Sequence, residues 1–300
     1  MSDTTTLNEK YSIHGAIEFI NNEQGALVAR VATPYGAMEV ALQGAQLLFW
    51  TPKDQAPVIW MSPEAKFKRG KSLRGGSPVC WPWFGPHPEN SSLPGHGFAR
   101  NLDWQVLETS QLNDAIRISM KFVPGEEEMK NWPHQAELVL SITMGEALEM
   151  ELTTHNQGNT EFDMTQALHT YFNVGDISRV QIEGLEGKEY IDKVGEETCR
   201  HQQGAVTIDS EVDRVYMDTT EDLVIVDDAL ERRIRIAREG SHSTVVWNPW
   251  VEKGAAFGDM GEDGYRNMLC VETTNAAKDI ITVKPGESFT QCSRYTLETF

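Results

Sequence analysis

The sequence predicts an all-β protein, built as one large antiparallel β-sandwich. Three observations carry that prediction. Short runs of strand character recur more than a dozen times along the chain. Clusters of Gly, Pro, Asn and Asp separate many of them. Helical periodicity is scarce, and its best instance is the short stretch 125–132. Strands that follow one another without intervening helices favour stacked antiparallel sheets over a parallel α/β fold.

In chain order, the first runs are 16–20, 27–32, 47–50 and 58–61. A second group covers 115–122, 138–144, 148–154 and 162–172. The last covers 180–182, 223–226, 233–237, 244–247 and 268–273. Many alternate apolar and polar residues, as a half-buried strand does, or are rich in Val, Ile, Thr and aromatics. The stretch 74–101 stands apart, rich in Gly, Pro, Trp and His with few strand signals. A loop of that length in a compact domain is usually functional. No Pro- or Ser-rich linker and no fixed-period repeat divides the 300 residues, so a single domain over 1–300 is expected.

Composition limits the function. Net charge is -19, from 26 basic against 45 acidic residues. A surface this acidic repels phosphate backbones and anionic lipid, so neither nucleic acid nor membrane is expected as a partner. No stretch approaches the roughly 20 apolar residues of a membrane span. The first ten residues are polar and lack the apolar core of a signal peptide. A cytoplasmic protein is expected, and a monomer. Cys80, Cys199, Cys270 and Cys292 are scattered with no CxxC pair, as reduced structural cysteines are.

Several motifs carry chemistry, each with a plainer reading beside it. In Arg74-Gly75-Gly76, paired glycines let backbone N–H groups approach a ligand, and arginine grips oxyanions with parallel hydrogen bonds. The same residues also read as a turn beside a surface charge. Cys80-Trp81-Pro82-Trp83-Phe84-Gly85-Pro86 offers aromatic faces to a sugar ring, although such residues are more often core. His96 and Arg100 sit close in the same loop, where both can face one anion, or neither. On a period of two, Asp163, Thr165, Ala167, His169, Tyr171 and Asn173 share the more polar face of run 162–172. His169 there suits proton transfer near neutral pH, or a structural hydrogen bond. Glu272 ends an apolar run and is either a strand end in solvent or a buried base with a raised pKa. Asp213 in Asp213-Arg214-Val215-Tyr216 reads as part of a polar turn entering a short strand, where it caps the turn or binds hydroxyls.

There is no GxxxxGK[ST] loop, no GxSxG elbow and no HExxH. Gly95-His96-Gly97 lacks the third glycine of a dinucleotide fingerprint.

Taken in order, the segments 74–85, 96–101, 167–172, 212–216, Trp247-Asn248-Pro249 and Val271-Glu272 resemble the hexose-6-phosphate mutarotase branch of the aldose 1-epimerase family. The resemblance implies a galactose mutarotase-like sandwich with its site on a concave sheet face. It implies interconversion of the α and β anomers of a hexose 6-phosphate (a glucose-6-phosphate 1-epimerase activity) without metal, nucleotide or redox cofactor. His169 is then the general acid and Glu272 the general base. Arg74 and Arg100 match phosphate-binding positions, and His96 and Asp213 match positions that hold the sugar. Segment 249–264 is the least defined, and Trp250 there is a candidate for shaping substrate fit. The competing expectations are a non-catalytic sugar-phosphate sensor or carbohydrate-binding protein on the same fold and a glycoside hydrolase or lyase on a related sandwich. The hydrolase would usually need two flanking carboxylates.

Overall fold

The computed structural model describes residues 3–299; the first two residues of the polar N-terminal stretch, and residue 300, lie outside the described part. Every strand-to-strand ladder in it is antiparallel. A nine-stranded sheet runs from Val206–Thr207 at one edge through Arg232–Glu239, Ser288–Thr299 and Leu148–Asn156 to Gln105–Leu112 at the other. Facing it is an eight-stranded sheet whose middle is Val212–Met217, Ser243–Asn248, Met268–Asn275 and Gln166–Leu168. A four-stranded sheet of the first four strands, Ile17–Asn21 to Leu47–Pro52, packs at one end.

Strand alternation builds the core. Along Met268–Asn275, Leu269 and Val271 point into the layer between the large sheets, while Cys270 and Glu272 point to the opposite face. From the nine-stranded sheet, Ile118, Leu140, Met150 and Ile234 fill the same layer. Polar bonds tie the two sheets together across it. Thr170 Oγ1 lies 2.7 Å from both Ser77 Oγ and Tyr295 Oη, and the Trp81 indole N–H donates to Thr154 Oγ1 at 3.1 Å.

Most predicted runs are strands with ends shifted by a residue or two; 115–122 matches Ala115–Phe122 at both ends. Run 58–61 makes only isolated bridges, Ile59 to Phe172 and Met61 to Gly75. Run 162–172 is three short strands rather than one: Phe162–Met164, Gln166–Leu168 and Tyr171–Asn173. At the first break Thr165 N–H turns to the Pro82 carbonyl, and at the second His169 N–H turns to that of Pro78. The face parity nevertheless survives both breaks, because Phe172 meets Tyr295 in the core while Tyr171 stacks beside His169 outside it. The expected helix 125–132 contracts to α2, Glu126–Met129. Two eight-residue helices were not expected: α1, Thr4–Tyr11, capped by Asp3 accepting from Thr6 N–H, and α3, Trp250–Phe257. Among the described residues no helix is long and apolar enough to cross a membrane.

The glycine pair 75–76 brings two chains closer than any side chain permits. Gly76 has φ +68°, and a Cβ there would lie 2.2 Å from the Leu47 carbonyl oxygen. Gly76→Ala is therefore expected to destabilise the protein by about 2–4 kcal/mol, through left-handed strain together with displaced backbone. A urea midpoint lowered at unchanged slope would show it.

Candidate functional site

The free face of the eight-stranded sheet opens into a cleft of about 620 Å³. Arg74, His96, Arg100, His169, Asp213 and Glu272 all line it. A slightly larger cleft of about 740 Å³ lies beside α1. It is the weaker candidate: its one lining carboxylate, Asp103, is engaged by Arg69 at 2.6 Å, and no histidine lines it.

His169 sits at the second break of the 162–173 segment, where the chain leaves one short strand before starting the next. Its imidazole stacks on Tyr171, centroids 5.0 Å apart and planes within 9°. Trp247 meets both rings edge-on. Glu272 lies across on the neighbouring strand, and its Oε1 is 3.4 Å from His169 Nδ1. Glu272 is not the solvent-exposed strand end of the plainer reading: its relative exposure is 1%.

Three buried polar atoms of this cleft have no hydrogen-bond partner: His169 Nδ1, Glu272 Oε2 and Arg100 Nε. Buried polar groups are almost always paired, so orphans converging on one cavity point to a ligand that completes them.

Electrostatics set the proton count. Burial, reinforced by the Asp213 charge, pushes the Glu272 carboxyl well above the usual carboxylate range; Arg100 and Lys193 only partly offset it. Burial, with His96 and Arg100 adding, pushes His169 well below the usual imidazole range. Both shifts disfavour an ionised Glu272 beside a protonated His169. They favour a protonated carboxyl opposite a neutral imidazole. The two forms differ only in where one proton lies.

His96 has φ +65° and its backbone N–H donates to the Gly85 carbonyl at 2.7 Å. Its Nδ1 accepts from Gly85 N–H at 3.2 Å, which leaves the proton on Nε2 as a donor toward the cleft. Burial, then the Arg100 and Lys193 charges, lower its pKa to about 3. A neutral folded histidine whose unfolded form titrates near 6.5 contributes stability that is complete above pH 6.5. That contribution is lost as pH falls toward 3, at up to about 1.4 kcal/mol per pH unit. His96→Gln is expected to remove this slope, so wild type and variant should converge in urea stability between pH 6.5 and 4.

The arginines are held differently. Arg74 Nε donates to Asp259 at 3.0 Å, Nη1 reaches Tyr171 Oη at 3.4 Å, and the guanidinium lies over the Phe257 ring at 4.4 Å. Arg100 sits in the 3₁₀ turn Ala99–Asn101, and its Nη2 donates to the Gly95 carbonyl at 2.9 Å. The expected help from glycine N–H groups is not there at Gly76, whose N–H donates to the Trp60 carbonyl at 2.7 Å.

Asp213 is inside the strand Val212–Met217, opposite Trp247, and caps no turn. Its carboxylate is 4.0 Å from Lys253 Nζ, and burial raises its pKa against the pull of Lys253 and Lys193. Of the aromatic loop, Trp81 and Trp83 are core and only Phe84 reaches the cleft, edge-on to His96. Trp250 does not line the cleft; it packs on Tyr265, while Lys253, Phe257 and Asp259 from the same segment form the rim. Tyr171 and Trp247 were legible as cleft residues, one by sharing the face of His169 and the other by its motif. Lys193, in a turn without distinctive sequence, was not.

The family model for aldose 1-epimerase matches residues 30–296. A protein of Escherichia coli K12, provisionally named a glucose-6-phosphate 1-epimerase, is 41% identical over 239 residues, 79% of each chain. One from the plant Cenchrus ciliaris with the same provisional name is 38% identical over 84% of this chain and 78% of its own. The crystal structure of a provisionally named mutarotase from Salmonella typhimurium superposes with TM-score 0.89 at 34% identity, covering 97% of this chain and 96% of that one. A galactose mutarotase-like protein from Clostridium acetobutylicum shares the fold, with TM-score 0.74 at 15% identity over 95% and 98% of the two chains.

Proposed function

This chain belongs to the aldose 1-epimerase family, and from that premise we propose that it is an isomerase interconverting the α and β anomers of a hexose 6-phosphate. The observation that carries the reading is the pairing of His169 with Glu272 at 3.4 Å in a cleft that also holds Arg74 and Arg100. The first pair supplies the acid and base of ring opening, and the second supplies charge for a phosphate. The provisional names of the relatives support the same substrate class.

In the proposed reaction, ionised Glu272 takes the proton from the C1 hydroxyl while protonated His169 gives one to the ring oxygen. The C1–O5 bond breaks, leaving an aldehyde at C1 and a hydroxyl at C5. Rotation about C1–C2 presents the other carbonyl face, and the ring closes with the two roles reversed. His96 and Asp213 hold ring hydroxyls.

The neutral pair that burial favours must become the ion pair before ring opening. The charges of Arg74 and Arg100 are among the influences that hold His169 unprotonated. A phosphate dianion beside those guanidiniums offsets their field and eases protonation of His169, while the lost pull of Arg100 acts the other way on Glu272. Phosphate binding orients C1 and makes His169 easier to protonate.

The remaining expectations join this reading. We take residues 1–300 as one domain acting as a cytoplasmic monomer on a small sugar phosphate. The net charge of -19 supports excluding nucleic acid and anionic membrane as partners. Saturation-transfer NMR on glucose 6-phosphate, with glucose as control, tests the function. Exchange above the uncatalysed rate is expected for the phosphorylated sugar, and its absence for every hexose 6-phosphate would sink the reading.

A further inference from the structure

We propose that His169, Cys270 and Glu272 form a binding site for a thiophilic divalent cation of the zinc class, and that its occupation closes the cleft to sugar. The inhibition rests on the functional reading above; the binding does not.

The fold brings the three side chains together by register. Cys270 and Glu272 are two residues apart on Met268–Asn275 and so share its cleft-side face. The facing chain pairs Leu168 with Thr273 and Tyr171 with Cys270, which sets His169 between them. One ligand atom from each of the three lies within 4.8 Å of the other two. His169 Nδ1 and Glu272 Oε1 are 3.4 Å apart. Around a tetrahedral ion with Zn–N and Zn–O bonds of roughly 2.0–2.1 Å, those atoms stand about 3.3–3.4 Å apart. A sulfur at about 2.3 Å from the ion stands roughly 3.6 Å from each of them, inside the 4.8 Å that spans the three ligand atoms here.

A second observation is independent of the spacing. His169 Nδ1 and Glu272 Oε2 are buried without partners, on residues only 9% and 1% exposed. An ion bound here completes His169 Nδ1 and engages the carboxyl, leaving its fourth position toward the cleft. The donor set selects the ion. Mixed nitrogen, sulfur and oxygen ligands suit zinc and its spectroscopic surrogates, whereas magnesium and calcium take oxygen cages. Metal binding releases the protons of the Glu272 carboxyl and the Cys270 thiol, and the carboxylate and thiolate so formed balance the dication, which Arg74 and Arg100 would otherwise repel. Ring opening makes no use of Cys270, which is fully buried behind the acid–base pair.

The test is a cobalt titration of the metal-stripped full chain, read by sulfur-to-cobalt charge transfer in the near ultraviolet. A band saturating at one equivalent is expected, absent in Cys270→Ser and retained in Cys199→Ser, which removes the exposed thiol near His201. His169→Gln serves as a thiol-independent check and should weaken cobalt binding at least about tenfold, since even outer-shell losses cost about 10–100-fold. No band in the wild type, or a band that follows Cys199 instead of Cys270, overturns the site. Zinc should slow anomer exchange in the wild type, and Cys270→Ser should need at least about tenfold more zinc for the same effect. Full exchange at zinc levels that displace all cobalt overturns the closure. No exchange even in the metal-free protein would count against the proposed function and leave the cobalt result standing.

Discussion

Glu272→Gln is expected to slow anomer exchange by about 10²–10⁴-fold, with His169→Gln lowering it by a similar factor. The glutamine keeps the volume of a side chain that is 1% exposed, so the loss is of proton transfer rather than packing. The two substitutions should not add. The groups stand 3.4 Å apart and serve the two ends of one ring opening, so removing either stops the coupled proton exchange with the sugar. The double variant should fall within a few-fold of the slower single one. Additive losses would mean that the two act in separate steps. Stability supplies a second check. The raised Glu272 carboxyl stays neutral in the fold while its unfolded form ionises above about 4.5. Its contribution is therefore complete below pH 4.5 and is lost as pH rises toward the folded value. Glu272→Gln cannot ionise, so the variant should gain stability relative to wild type as pH rises from 4.5 to 7. A relative loss over that range would show that Glu272 is ionised in the empty cleft.

Much of this arrangement was legible in the sequence, and the limits have physical causes. Strand alternation places His169 with Tyr171 and Cys270 with Glu272 on the site face, because a period of two fixes the face of every residue once one is known. It survives even where the strand itself breaks. Burial depth was not legible. Glu272 reads either as a strand end in solvent or as a buried base; packing from neighbouring strands decides for burial, and only three-dimensional proximity brings Asp213 close enough to raise its pKa. The protonation states suffer from the same blindness, since they depend on desolvation and on charges far away in sequence. Arg74 is the clearest case: its partner Asp259 lies 185 residues away. The rim built from α3 and its following loop was hidden for another reason. An eight-residue helix after a proline gives too short a periodic signal to separate from a loop.

That distant partner shapes the other large effect. Arg74→Ala and Arg100→Ala are each expected to raise KM for a hexose 6-phosphate by about 10–100-fold, the range of one charge-assisted hydrogen bond of roughly 1.5–3 kcal/mol. The change in kcat should be smaller, and glucose exchange should hardly respond. The two variants should differ in cause. Deleting Arg100 removes a guanidinium whose Nε has no protein partner, together with its Nη2 hydrogen bond to the Gly95 carbonyl. Arg74 is held by Asp259 at 3.0 Å and by stacking on Phe257, and its deletion also leaves a carboxylate facing the incoming phosphate. Asp259→Asn separates these contributions. With Arg74 present, it frees the guanidinium for phosphate and should lower KM a few-fold. In the Arg74→Ala background it removes the repulsion and should recover part of the lost affinity. The two effects of Asp259→Asn have the same sign but different sizes, and their difference is the Arg74–Asp259 coupling. A KM unchanged in both arginine variants would contradict phosphate binding at this rim. A fall in kcat that outweighs the rise in KM would instead mean that the arginines act mainly on the chemical step.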